Sequence, residues 1–217
     1  MEAKEAILSR QSTRYFTDEP VSEADIQAIV ELAQHTPSWA NAQTEHVYVT
    51  MGQSLNALRK DFAKENRAHK PATGDMPPTS RHLWPKNAQA NMAHWMDGVR
   101  RDIGENWNDY IFEAENVLYN SQAVVFLTLP KGYVSWSFYG LGSSAEALLT
   151  AATDRGIDSL VAYQFIKYPE VVRANLPIDA EDDIIIGIGL GHRDEQAYVN
   201  RITSERGPLK RGLTISD

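Results

Sequence analysis

Apolar residues recur along much of the chain at the spacing of an α-helix. Residues 22–35 show this pattern most clearly, and Ser22 and Asp25 supply a capping-box pattern at its start, so we predict an amphipathic helix there. Further helices are predicted over residues 2–9, 53–64, 88–103, 109–119, 139–155 and 168–174. The segment 139–155 is rich in Gly, Ala and Ser, and we expect it at the centre of the assembly because small side chains let another backbone approach.

Shorter apolar runs between these segments predict strands. Val124–Leu129 is continuously apolar, as is typical of a central strand, and Ile184–Ile188 reads as a second buried strand. His46–Thr50 combines β-branched and aromatic residues. Ser159–Tyr163 is either a strand or a loop. The chain therefore combines helices with a sheet.

Two stretches lack such a pattern. Residues 66–88 contain four prolines among polar residues and predict a long loop, which in a compact domain is usually functional or mobile. From residue 193 onward the chain is polar and predicts an arm, with Leu213–Ile215 extended. No repeat or linker divides the sequence, so we expect one domain over residues 1–217.

Composition narrows the classes of partner. The 217 residues carry a formal net charge of -8 and a pI near 5.3, which argues against nucleic acid and against a membrane surface as partners. The absence of cysteine excludes disulfides and thiolate metal sites. The start lacks a secretory pattern and the apolar runs are too short to span a bilayer, so the expected location is the cytoplasm.

Two short segments could bind a polar ligand. In the run Arg10-Gln11-Ser12-Thr13-Arg14, an extended backbone would turn Arg10, Ser12 and Arg14 to one side, where two guanidinium groups and a hydroxyl suit a phosphate. By spacing alone, a solvated charged loop is the commoner outcome. Pro37–Gln43 follows a predicted helix; either it is a loop that ends the helix, or its amides bind a ligand.

Taken together, these segments resemble the paired N-terminal motifs of the nitroreductase family, Arg-x-Ser-x-Arg/Lys and Pro-Ser-x-x-Asn-x-Gln. The resemblance continues in family order through four later segments: 156–165, 168–177, 184–191 and 200–209. It covers most of the chain. The implied fold is α+β, a mostly antiparallel central sheet flanked by helices, in an intertwined homodimer.

The resemblance also implies an FMN site. Arg10, Ser12 and Arg14 would hold the phosphate and ribityl chain, with Arg206 and Arg201 approaching from the C-terminal arm. A second set would lie near the isoalloxazine ring: the partner subunit's loop residues Pro37, Ser38, Asn41 and Gln43, and the backbone N–H groups around Tyr163 and Gln164. The flavin carries the chemistry, so no catalytic side chain and no metal site are expected.

The implied function is a ping-pong transfer of a hydride from NAD(P)H, through flavin N5, to a small nitroaromatic or quinone-like acceptor. The alternatives are a flavin, quinone or enone reductase on the same scaffold and a flavin-binding redox sensor that does not turn over. A third is a dehydrogenase that uses Gly140-x-Gly142-x-x-Ala145 as a dinucleotide fingerprint, although no acidic residue ends the next predicted strand. Residues 66–112 match little of the family, in which this region usually shapes the substrate pocket.

Overall fold

A four-stranded antiparallel sheet forms the centre of the protein, which is described by a computed structural model over residues 1–216. The strands are β1 (His46–Met51), β2 (Ala123–Pro130), β3 (Asp158–Val161) and β4 (Asp182–Gly191). Their order in the sheet is β1-β2-β4-β3. The helices are α1 (Ala3–Ser9), α2 (Glu23–Ala33), α3 (Gly52–Arg67), α4 (Lys86–Ile103), α5 (Trp107–Asn116), α6 (Ser137–Asp154) and α7 (Pro169–Asn175). The predicted α+β class is confirmed.

Strand β2 is buried on both faces, which explains its unbroken apolar run. Successive side chains of a strand point to opposite faces of the sheet. Val124 and Phe126 accordingly belong to one hydrophobic cluster, with residues of α3, α5 and α7. Val125 and Leu127 belong to another, with residues of α2 and α6. The sheet is therefore covered by helices on both sides.

Strand β4 contains three glycines because aromatic rings lie directly against its backbone. A Cβ atom on Gly187 would clash with the Cβ of Phe165, and one on Gly189 would lie 2.6 Å from the Cζ of the Phe165 ring. A Cβ on Gly191 would meet Phe16 at 2.8 Å. The Gly-x-Gly-x-Gly pattern thus serves packing in the core.

The helix boundaries follow the predicted ones closely. At the start of α2, the Ser22 hydroxyl accepts a hydrogen bond from the Asp25 N–H at 3.0 Å, as the capping pattern requires. Within residues 1–216, no helix has the length and apolar character needed to cross a membrane.

Three predicted segments have the wrong boundaries. The loop expected over 66–88 is shorter, because α3 continues to Arg67 and α4 begins at Lys86. The helix expected over 109–119 ends at Asn116, and a short 3-10 turn follows in which Tyr119 has a positive φ of 58°. Strand β4 runs well beyond Ile184–Ile188, because glycines that weaken a sequence pattern are accommodated in it. Leu213–Ile215 lies outside any helix or strand.

Candidate functional site

The segment around Arg14 runs along the outer edge of β3. Ser12 forms a parallel bridge with Ser159, and the Thr13 N–H donates to the Ser159 carbonyl at 3.0 Å. Thr13 is fully buried, whereas Ser12 and Arg14 are half-buried. This difference fits the predicted alternation of side chains. Arg10 follows Ser9 as the C-cap residue of α1 and is also half-buried.

The two ends of the chain meet at this segment, and the buried side chain of Asn200 joins them. Its Oδ1 accepts from the N–H groups of Arg14 at 2.6 Å and Tyr15 at 3.0 Å. Its Nδ2 donates to the carbonyls of Tyr15 at 2.7 Å and Asp194 at 2.9 Å. No pattern in the sequence indicates this role, because Asn200 appears there only as one residue of the arm motif.

The guanidinium of Arg14 lies between the chain's two ends and is held by backbone carbonyls. Nη1 donates to the carbonyls of Ser12 at 3.2 Å and Ile202 at 3.3 Å, and the group lies 5.8 Å from the ring centre of Trp95. Among residues 1–216, no carboxylate is within ion-pair distance of it. Burial lowers the pKa of Arg14, and the nearby charge of Arg193 lowers it further. A bound anion would relieve both effects.

The other two predicted arginines occupy different surroundings. Arg206 is exposed and lines a cavity of about 520 Å³ between α4 and the arm, a cavity that Trp95 also lines. Trp95 thus lies near the Arg14 guanidinium and lines the same cavity as Arg206. Arg201 stacks instead on the ring of Tyr198 at 4.3 Å. Arg206 is the better placed of the two to join Arg14 at one ligand.

The loop 37–43 has a strained backbone. The φ angles of Ala40, Asn41 and Gln43 are 47°, 58° and 45°, in the left-handed region that non-glycine residues rarely adopt. The Ser38 hydroxyl stabilises the loop by accepting from the Gln43 N–H at 3.0 Å. The amide side chains of Asn41 and Gln43 are exposed, as is Pro37. Strain of this kind is concentrated at ligand-binding sites.

This loop also accounts for the glycine-rich start of α6. A Cβ on Gly140 would lie 3.1 Å from the Cβ of Ser38, so the glycine permits close contact between α6 and the loop. A dinucleotide fingerprint would instead lie between a strand and a helix. Packing, rather than phosphate binding, explains Gly140.

Tyr163 and Gln164 begin the 3-10 turn 163–166, directly after β3. The Tyr163 hydroxyl and the Gln164 Oε1 are buried and have no hydrogen-bond partner among the described residues. Val161, at the end of β3, is 47% exposed, which is unusual for an apolar strand residue beside the core. Unpaired polar atoms beside an exposed apolar side chain indicate a surface on which a ligand could lie.

A second cavity, of about 390 Å³, opens over Val161–Tyr163. Its other wall consists of residues from 76–84 and of Met92 on α4. Met92 and Trp95 are three residues apart on one helix and so are neighbours on its surface. Trp95, whose ring the Arg14 guanidinium approaches, is therefore about one helical turn along α4 from a residue that lines this cavity. The sequence predicted the loop, and the family resemblance implied that this region shapes a substrate pocket, but neither indicated which residues line it.

A family profile, related sequences and solved structures all match this chain to the same family of proteins. A profile of the nitroreductase family matches residues 7–192. Nitroreductase NfnB of Mycolicibacterium smegmatis is 28% identical over 99% of this chain and 92% of its own length. A 4-nitrobenzoate reductase of Pseudomonas putida is 22% identical over 96% of this chain and 92% of its own length.

The solved structures that resemble this chain are nitroreductases as well. The FMN-dependent nitroreductase NfnB from Mycobacterium smegmatis, in complex with NADPH, superimposes with a TM-score of 0.90 at 25% identity and covers 99% of this chain and 98% of its own. A nitroreductase with bound FMN from Desulfitobacterium hafniense has a TM-score of 0.67 at 19% identity, over 100% of this chain and 99% of its own, which shows a shared fold.

Proposed function

The chain belongs to the nitroreductase family, and from that premise we propose that it is an FMN-dependent oxidoreductase that uses NAD(P)H to reduce nitroaromatic or quinone-like acceptors. Relatives that match nearly the whole chain are named as FMN- and NADPH-dependent nitroreductases or as reductases of nitroaromatic compounds. For a nitro group, the hydride of NAD(P)H and one proton give a nitroso group and one water.

The observation that carries the proposal is the charge of Arg14. A half-buried guanidinium with two backbone acceptors and no carboxylate partner in residues 1–216 is costly unless an anion completes it. A phosphate monoester is a dianion with oxygens that match the guanidinium fork. The residues present therefore fit the phosphate of FMN.

Further residues fit the rest of the flavin. Arg10 and Ser12 lie on the same segment as Arg14, and Arg206 lines the cavity that Trp95 shares. Around Tyr163 and Gln164, backbone N–H groups offer donors to the ring edge. Bound FMN would supply the two-electron carrier, and this chain would hold and orient it while excluding water. We propose that residues 1–217 form one FMN-binding domain.

We also propose a homodimer in which the partner's copy of loop 37–43 contacts the flavin. Trp39 and Trp136 stack at 4.3 Å between ring centres although both are about half exposed, and they lie beside exposed Phe138 and Tyr139 on α6. Adjacent exposed apolar side chains of this kind often mark an interface. Light scattering at micromolar concentration should give twice the chain mass of 24.3 kDa, and a monomer with full flavin content would overturn the proposed dimer.

The visible spectrum of the purified protein tests the function. We expect a yellow protein that releases FMN on denaturation and is bleached by anaerobic NADPH or NADH, with recovery on adding a nitroaromatic. A yellow protein that neither nucleotide reduces would favour the redox sensor. A colourless protein that also fails to take up added FMN would overturn the proposal.

A further inference from the structure

Residues 76–84, which we call the strap, form a fixed wall of the 390 Å³ cavity. Their N-terminal end is tied to the core by residues 73–75. The Thr73 N–H donates to the Lys167 carbonyl at 3.0 Å. Asp75 Oδ2 accepts from Arg173 Nη2 at 2.7 Å and from the Ile184 N–H at 2.9 Å. The strap therefore starts from a defined position.

The C-terminal end of the strap is held by α4. The Gln89 side chain donates from Nε2 to the carbonyls of His82 at 3.2 Å and Trp84 at 2.6 Å. Pro77 and Pro78 restrict the backbone between the two ends. Although its residues are exposed, the strap is thus held at both ends over Val161–Tyr163.

The cavity under the strap is lined mainly by apolar groups. They include Met76 and Trp84 from the strap, Met92 from α4, and Val161 and Ile186 from the sheet. The volume suits a small aromatic molecule, and the flat ring of Trp84 offers a surface for stacking. The cavity also borders the segment that we propose lies against the flavin ring.

Arg81 is the one charged side chain of the lining among the described residues. No acidic group lines the cavity, and within residues 1–216 Arg81 takes part in no ion pair. A guanidinium at the mouth of an apolar cavity attracts an anion more strongly than one in open water, and its planar fork matches a carboxylate.

We propose that this cavity receives the acceptor and that Arg81 selects aromatic acceptors that carry an anionic substituent, such as a carboxylate. The inference rests on the proposed function. The apolar wall would hold the ring, and the guanidinium would pair with the charge at the mouth. Arg81 is then a specificity-determining residue, and the chemistry of reduction does not depend on it.

The test compares para-nitrobenzoate with para-nitrobenzamide, which has nearly the same shape and no charge. The ratio of kcat/KM for the acid to that for the amide is measured in the flavin-loaded wild type and in Arg81→Gln. The difference in intrinsic reactivity between the acid and the amide is the same for both proteins, so it cancels when the two ratios are compared. We expect the ratio to fall about tenfold or more, the effect of one charge-assisted pair, with the amide changed by less than about twofold. Arg81→Lys should retain part of the preference.

Arg100→Gln is the matched control, because Arg100 is exposed on α4, pairs with Asp97 and is absent from the lining. It should leave the ratio unchanged. Equal losses for acid and amide in Arg81→Gln would overturn the inference, since Arg81 would then only shape the cavity. A raised KM for NADPH with an unchanged ratio would also overturn it, because the anion would be the nucleotide's phosphate. A protein that binds no flavin would overturn the proposed function itself.

Discussion

The segment around Arg14 and the strap are both irregular backbone beside α4, but they are held in different ways. The Arg14 segment is fixed from the interior, by the buried side chain of Asn200 and by hydrogen bonds to the edge of β3. The strap is fixed only at its ends, by Asp75 and Gln89, and its middle is exposed. The Arg14 segment is therefore anchored in the core, whereas the strap lies over the core.

This difference agrees with the ligand proposed for each region. A phosphate group is the same in every FMN molecule, so its site gains from rigidity, and moving a fixed charge would weaken binding. An acceptor can vary, and exposed residues such as Arg81 and Trp84 can change without disturbing the core. Substitutions in one region should therefore leave the binding function of the other unchanged.

The largest effect is expected for Asn200→Ala. The substitution leaves the N–H groups of Arg14 and Tyr15 without an acceptor and removes one of the two hydrogen bonds at each of the Tyr15 and Asp194 carbonyls. The free energy of unfolding should fall by about 3 kcal/mol. Urea denaturation measures this change. FMN affinity should fall as well, whereas the acid-to-amide ratio of the remaining holoenzyme should stay at the wild-type value.

Asn108→Ala is the control for this loss, since Asn108 is exposed on α5 and its replacement should change the unfolding free energy by less than about 0.5 kcal/mol. If Asn200→Ala were equally mild, Asn200 would not be what joins the two ends.

A smaller effect is expected for Gly74→Ala, at the tied end of the strap. The new Cβ would lie 2.9 Å from the Tyr163 hydroxyl and 3.1 Å from the Ile166 carbonyl, so the Tyr163 side chain must move and the Ile166 carbonyl must yield by a few tenths of an ångström. We expect a cost of about 2 kcal/mol in unfolding free energy. Hydrogen exchange should rise in residues 73–84, and the acid-to-amide ratio should fall, without a change in the preference for FMN over riboflavin.

Gly98→Ala provides the comparison. A Cβ there meets only Arg101 Nη2, at an ordinary 3.5 Å, and inside α4 alanine is favoured over glycine by about 1 kcal/mol. Gly98→Ala should therefore stabilise the protein. Faster exchange around residue 200 in Gly74→Ala would contradict the independence of the two regions.

The smallest effect concerns pH and Glu170, which accepts hydrogen bonds from Thr73 at 2.8 Å and Lys70 at 2.9 Å near the strap. Burial raises its pKa, but the bonds from Lys70 and Thr73 outweigh burial, and the net pKa is lowered. The stabilisation is thus present above the ordinary carboxyl pKa of about 4.3 and is lost as pH falls through the lowered value. Because the side chain is 45% exposed, solvent screening limits it to a few tenths of a kcal/mol.

The difference in unfolding free energy between wild type and Glu170→Gln should therefore be small at pH 7 and shrink further as the pH falls below the ordinary carboxyl pKa. A difference that grows with acidification would mean that the pKa of Glu170 is raised rather than lowered.

Local patterns in the sequence predicted most of the fold. The apolar run of β2 and the cap of α2 are set by nearby residues, and both were read correctly. The full length of β4 was missed, because its glycines are explained only by Phe165 and Phe16, which are distant in sequence. Contacts of that kind leave no periodic signal.

The candidate site was predictable to a similar degree. The motif around Arg14 was recognisable as a motif, but its junction with Asn200 joins residues 186 apart in the sequence. The strap was visible only as a run of prolines. The strap covers Val161 and places Arg81 in the lining of an apolar cavity because of tertiary packing. The spacing of residues 66–88 does not encode that packing.

The central claim is that the Arg14 guanidinium binds the flavin phosphate, and titration of the apoprotein with FMN and with riboflavin, which lacks the phosphate, tests it directly. Wild type should bind FMN far more tightly than riboflavin. In Arg14→Gln this preference should shrink by about 1.5–3 kcal/mol, or roughly tenfold to a hundredfold, while riboflavin affinity stays near the wild-type value. If Arg14→Gln weakened both flavins by the same factor, or neither, the phosphate would lie elsewhere.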